Sequence, residues 1–118
     1  MGTTAMMDTS QSNHTTEHSD ALVAGLKDAG IRAVCAYSRC SGPRAQYPQD
    51  VNRLRRSYFS SEDQLLTLAL ATRRDIKSFE FARAAGLQSV LHIRLNSEEL
   101  LALGRAGLLR EGDEYIRC

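Results

Sequence analysis

The sequence predicts an α/β fold in which parallel strands alternate with helices. Two observations carry this. Stretches with the composition of strands alternate with stretches of helical periodicity along the whole chain. A helix end, a glycine and a strand start also recur in one order, in DAGIRAV (28–34), in AAGLQSV (84–90) and in the opening of RAGLL (105–109). Each of these glycines is expected to take the left-handed conformation that turns a helix back toward a sheet. Repeated helix–glycine–strand units belong to right-handed βαβ crossovers, and so to a parallel sheet.

Taken in order, GTTAMMD (2–8) reads as a short first strand. Residues 9–20 are polar and loop-like, with Thr16 or Ser19 as helix caps and Glu17 and Asp20 in a first turn. DALVAGLKDAG then sets Leu22, Val23 and Leu26 on one helical face and stops at Gly30. IRAVCAY (31–37) alternates and is rich in β-formers, so it predicts a strand. Residues 38–50 hold both prolines and form the longest irregular stretch. VNRLRRSYF (51–59) predicts a short helix with Val51, Leu54 and Tyr58 on one face.

QLLTLALA (64–71) is continuously apolar, as a strand covered on both faces would be, though a buried helix turn shares that pattern. RRDIKSFEFARAAG (73–86) is helical, with Ile76, Phe79 and Ala82/Arg83 in step. LQSVLHI (87–93) is the next strand. NSEELLALGRAG (96–107) is a helix capped by Asn96 or Ser97, and EYIRC (114–118) begins a fifth strand. The expectation is five strands with four intervening helical segments in a single domain spanning 1–118.

Composition narrows the function classes. The 118 residues are 42% apolar and 25% charged, near the averages of globular proteins. A net charge of +1 advertises no field for nucleic acid or a membrane surface. Lys27 and Lys77 are the only lysines among fifteen basic residues, a bias that coding composition explains. Cys35, Cys40 and Cys118 are odd in number and lack paired spacing, which argues against a disulfide framework. Cys35 and Cys40 make a poor zinc half-site, with no second pair following. No apolar run reaches the ~18 residues that span a bilayer. The N-terminal stretch has neither the basic nor the apolar region of a signal peptide, so a cytoplasmic location is expected.

Among chemically able residues, His92 ends the strand-like SVLHIR (89–94), and α/β enzymes keep their chemistry at the carboxyl ends of strands. His14 and His18 are four apart but precede the helical pattern, and they read as solvated loop histidines. No glutamate base follows them in an H-E-x-x-H order. Asp8 reads as a turn former, Arg53, Arg55 and Arg56 as a solvated helix face, and Cys35 as a buried strand residue.

Strands fill the chain from residue 2 to residue 118, as in a piece of a larger array. A (β/α)8 barrel takes roughly 250 residues, so the chain would hold about half of one. The segments GTTAMMD, HTTEHSDALVAGLKDAGIRAVCAY, YPQDVNRLRRSYFSSEDQLLTLALA, SVLHIR and EYIRC resemble the middle of the metal-dependent amidohydrolase superfamily, in its cytosine deaminase and chlorohydrolase-like branch. The resemblance covers nearly the whole chain and implies barrel strands two to six of a partial (β/α)8 TIM barrel. Such enzymes hydrolyse C–N or C–halogen bonds of cyclic small molecules with water activated by zinc or iron. It implies that His92 is the metal ligand ending barrel strand five. It places Arg117 where the family carries a strand-six histidine, in YIRC for the usual YIHC, and His14 on a loop that lines the substrate mouth.

The departures are as informative. No HxH pair occurs, and the strand-one and strand-eight ligands have no counterpart in the chain. Arginine stays protonated and does not ligate metals. Leu95 stands where several relatives carry a proton-shuttling glutamate, while Glu98 and Glu99 fall in the next helix. The expectation is therefore a truncated, inactive portion of a hydrolase that binds no metal alone and has no catalytic residues of its own. Open sheet edges would drive homo-oligomerisation or pairing with a complementing barrel fragment. The alternative is a small non-catalytic α/β module that binds or oligomerises. No GxGxxG or GxxxxGK[ST] phosphate loop supports it.

Overall fold

The structure, a computed structural model, describes residues 2–92 and 94–116. Five parallel strands alternate with four helices among the described residues, and the strand order is β1-β2-β3-β4-β5. The chain divides into two compact units, 1–69 and 70–118.

In the first unit, β1 (Ala5–Asp8) pairs in parallel with β2 (Arg32–Tyr37), from Ala5 opposite Arg32 to Asp8 opposite Cys35. Between them runs α1 (Thr16–Ala29). Its N-cap is Thr15, not the predicted Thr16 or Ser19, which both lie inside the helix, and the Thr15 hydroxyl accepts from the His18 N–H. His18 thus belongs to the first helical turn and not to the loop. Val23 and Leu26 are the buried apolar residues of α1, and Ala33, Cys35 and Tyr37 come in from β2.

Helix α2 (Asp50–Tyr58) buries Val51 and Leu54. Its Arg53 side chain is 33% exposed, so the face is partly solvated as expected, and carboxylates also hold the guanidinium. Arg53 Nη1 donates to Asp20 of α1 at 2.7 Å, and Nε and Nη2 donate to the two oxygens of Asp50 at 2.6 and 2.9 Å. The Asp50 side chain is 2% exposed, and together with Asp20 it holds Arg53 protonated still more firmly than usual. Helical periodicity reports which face is polar. It does not report that a carboxylate 33 residues away pairs with Arg53.

Strand β3 (Leu66–Ala71) crosses the boundary between the units. Leu68, Ala69 and Leu70 are all buried, so successive side chains are covered on both faces, as the continuous apolar run predicts. In the second unit, Leu70 and Ala71 pair in parallel with Ser89 and Val90 of β4 (Ser89–Leu91). Val90 and Leu91 pair in turn with β5 (Glu114–Tyr115). Helices α3 (Ile76–Ala84) and α4 (Ser97–Arg105) intervene. Phe79, Leu91, Leu103 and Leu108 form the core here, with Leu95 and Tyr115 packed against it.

The predicted glycine turns are present. Gly30, Gly86 and Gly107 have φ of 65°, 65° and 68°. After α3 the Leu87 N–H reaches back to the Ala82 carbonyl, and after α4 the Leu108 N–H reaches back to that of Leu103, both at about 3 Å. These six-to-one bonds define Schellman endings. The leucines after Gly86 and Gly107 then continue into the core. Helix starts are equally explicit. Asp75 caps α3, and Asn96 and Glu99 form a reciprocal capping box on α4. Asn96→Ala is expected to cost about 1 kcal/mol, read as a lower urea midpoint at unchanged slope.

One polar cluster lies inside the second unit. The guanidinium of Arg83 donates from Nε to the Leu108 carbonyl at 2.7 Å, from Nη1 to the Leu87 carbonyl at 3.0 Å and from Nη2 to Ser89 Oγ at 3.2 Å. Nη2 also pairs with Asp113, and the two side chains are only 9% and 1% exposed. Asp113 accepts in addition from the backbone N–H groups of Ser89 and Arg110, each at 3.0 Å.

Candidate functional site

The residues able to do chemistry stand just past the carboxyl ends of strands. In the second unit, His92 follows the last residue of β4 and is half-buried. Thr72 follows β3, is 5% exposed, and donates its N–H to the Val90 carbonyl. Its Oγ1 is buried with no hydrogen-bond partner among the described residues. Neighbouring strands thus bring an imidazole and an unsatisfied hydroxyl to the same end of β3 and β4. Arg117 lies outside the described residues.

Glu99 is committed elsewhere. One carboxylate oxygen accepts the Asn96 N–H at 2.8 Å and the other accepts from Arg74. The Asn96 N–H first, and Arg74 second, hold the Glu99 carboxyl below its ordinary range. A carboxylate so satisfied is a poor proton shuttle at neutral pH. Among the described residues, no three His, Cys, Asp or Glu side chains converge as metal ligands. A single imidazole is fewer than the three protein ligands that an open catalytic metal site usually holds.

In the first unit, the loops after β1 and β2 are stapled together by Asn13. This residue is 3% exposed, donates to the carbonyls of Ser10 and Ser38 at 2.9 and 3.3 Å, and accepts from Ser19 Oγ at 3.2 Å. Ser38 Oγ closes the clasp on the Ser10 carbonyl. The next residue, His14, lies against the second loop. Its Nδ1 is 2.7 Å from the Ser41 carbonyl oxygen, and Cys40 Sγ is 2.9 Å from Nδ1 and 3.4 Å from Nε2. The His18 ring meets the His14 ring edge to face at 5.6 Å, and Thr15 Oγ1 holds His18 Nδ1 at 2.9 Å.

Beside this group, a cleft of about 360 Å³ opens between Thr15, Thr16 and Glu17 on one side and Pro43, Arg44 and Gln46 on the other. The Thr15 hydroxyl, foremost, and Arg44 to a smaller degree keep the Glu17 carboxyl below its ordinary range. His14 and His18 are both exposed, as expected of solvated histidines, and their rings touch each other.

The sequence reading took Cys40 only as half of a poor zinc pair with Cys35. Parallel pairing of β1 with β2 sets Asp8 opposite Cys35, and His14 and Cys40 follow those residues by nearly equal lengths of loop. Cys35 itself is buried in β2 as expected, and burial, with a smaller push from Asp8, raises its thiol to about 12. No helix among the described residues is long and apolar enough to cross a membrane. Comparison of the chain with family models, with curated proteins and with solved structures finds no match to any of them.

Proposed function

We propose that the chain is a portion of an amidohydrolase-type (β/α)8 barrel that contributes a single ligand, His92, to a zinc or iron centre. The observation that carries this reading is the position of His92, one residue past β4 in a sheet whose strands run parallel in sequence order. In barrels of this architecture that end of the sheet carries the chemistry. The chain alone is not the catalyst in this reading. His14 would stand at the mouth toward a small cyclic substrate, and Arg117 would take the place of a histidine. The remaining ligands come from a complementing chain segment or from assembly of copies. The exposed Leu100 and Leu101 of α4 support an assembly partner.

The test is the zinc and iron content of the purified chain, measured separately on monomeric and assembled fractions from gel filtration, with His92→Ala alongside. Metal confined to the assembled fraction and lost in His92→Ala is the expected result. Metal that survives His92→Ala would put the ligands elsewhere and overturn the reading. So would an assembled fraction that stays metal-free in saturating zinc.

A further inference from the structure

We propose that the outer face of α4 is a two-fold contact on which a second copy of this chain docks, with the two α4 helices antiparallel. The proposal does not rest on the metal-centre reading, because it uses neither His92 nor any metal.

The argument begins with what α4 leaves uncovered. Leu103 is its buried residue and turns one side of the helix into the core of the second unit. Glu98, Leu101, Ala102 and Arg105 recur at helical spacing on the opposite side, within an arc of about 100°. All four are exposed. Leu101 is 57% exposed, the most of any large apolar side chain among the described residues, and Leu100 flanks it at 43%. Leu109 widens the apolar strip, since its Cδ1 lies 3.6 Å from where a Cβ on Gly104 would stand. Three leucines exposed together differ from the singly scattered apolar residues of an ordinary surface.

The charges on this face identify what covers it. Read from either end, the order glutamate, leucine, alanine, arginine is its own complement. An axis between Leu101 and Ala102 sets Glu98 of each copy against Arg105 of the other, and Leu101 of each against Ala102 of the other. That self-complementarity is what an isologous contact requires. The small residues Ala102 and Gly104 leave room for the leucine of the second copy, and antiparallel helix dipoles attract.

Within one copy these charges are not consumed. Glu98 and Arg105 stand about two turns apart, and among the described residues neither forms an ion pair. Glu99, by contrast, is held by the Asn96 N–H and by Arg74 on the side of the helix toward α3. A face of one nine-residue helix is smaller than a standard interface. The dimer is therefore weak, with a Kd on the order of 100 µM, and the chain is monomeric at low micromolar concentration.

Sedimentation equilibrium of the intact chain between about 10 µM and about 1 mM tests this. The chain is expected to pass from monomer to dimer over that range. Leu101→Glu, at a position too exposed to disturb the fold, should weaken association about tenfold or more. Glu98→Arg and Arg105→Glu should each weaken it as well, because each alone sets like charges together. An equimolar mixture of those two variants should associate as the unaltered chain does, since every pair across the axis is then opposite in sign. A chain still monomeric at the highest concentration would overturn the proposal. So would association that Leu101→Glu leaves unchanged, which would put the contact elsewhere, the open sheet edges included. A mixture that associates no better than its two components would overturn the antiparallel pairing.

Discussion

Replacing Asp113 by alanine is expected to cost about 3–5 kcal/mol of stability, because it strands a buried guanidinium. The Asp113 carboxylate is 1% exposed and is the only anion among the groups to which Arg83 is seen to donate, the others being two carbonyls and a hydroxyl. Without it the positive charge stays buried beside neutral dipoles. The Ser89 and Arg110 N–H groups lose their acceptor at the same time. Arg83→Met should cost a similar amount for the mirror reason, leaving a buried carboxylate and orphaned acceptors.

The two changes share one network, so Arg83→Met with Asp113→Ala should cost markedly less than the sum of the singles. Urea unfolding of the four proteins measures the cycle. Losses below about 1 kcal/mol in both singles would show that water reaches the pair and that the ions are not sequestered. A large cost on breaking the pair says nothing of what the intact pair contributes relative to apolar residues, which is often close to zero.

Phe79→Ala should cost about 3–5 kcal/mol, the ordinary range for a fully buried ring. Phe79 is 0% exposed and meets Leu91, Leu103 and Leu108, which come from β4, from α4 and from the turn after it. The cavity would open where three elements converge, so no single neighbour can relax into it. Leu101→Ala is the control. It lies on α4 at 57% exposure, and a change within about 0.5 kcal/mol is expected there. If Phe79→Ala and Leu101→Ala moved the urea midpoint equally, the cluster would not be the packed centre of the second unit.

The alternation of strands and helices was readable because it rests on local chemistry. DAGIRAV and AAGLQSV encode a helix stop, a left-handed glycine and the start of a strand, all within seven residues. Strand lengths were read too generously. Among the described residues of LQSVLHI the strand is Ser89–Leu91, because Leu87 belongs to the helix ending and not to the ladder. The cap of α1 was placed at Thr16 or Ser19 and lies at Thr15, since TTEHS offers three hydroxyl residues with similar chemistry.

The polar interior was not readable at all. Arg83 was noted only as a step of helical spacing, and REGDE looks like a solvated turn. Their partnership spans 30 residues, and no periodicity reports it. The His14–Cys40 pair has the same character. Each residue lies in a polar loop, and only the parallel register of β1 with β2 brings the loops face to face. What a sequence conceals here is long-range pairing of charged or reactive side chains, which leaves no mark on local composition.

The strand order also bears on how the chain is made. Because β1 to β5 lie side by side in the order of synthesis, each strand's partner is the one that left the ribosome just before it. No strand waits for a segment beyond the next crossover, so folding can proceed vectorially, although each parallel pairing must still close a whole crossover, as from Ala5 to Arg32. The arrangement exposes one unpaired strand edge at a time during translation, and each newly emerged crossover covers the edge left by the one before.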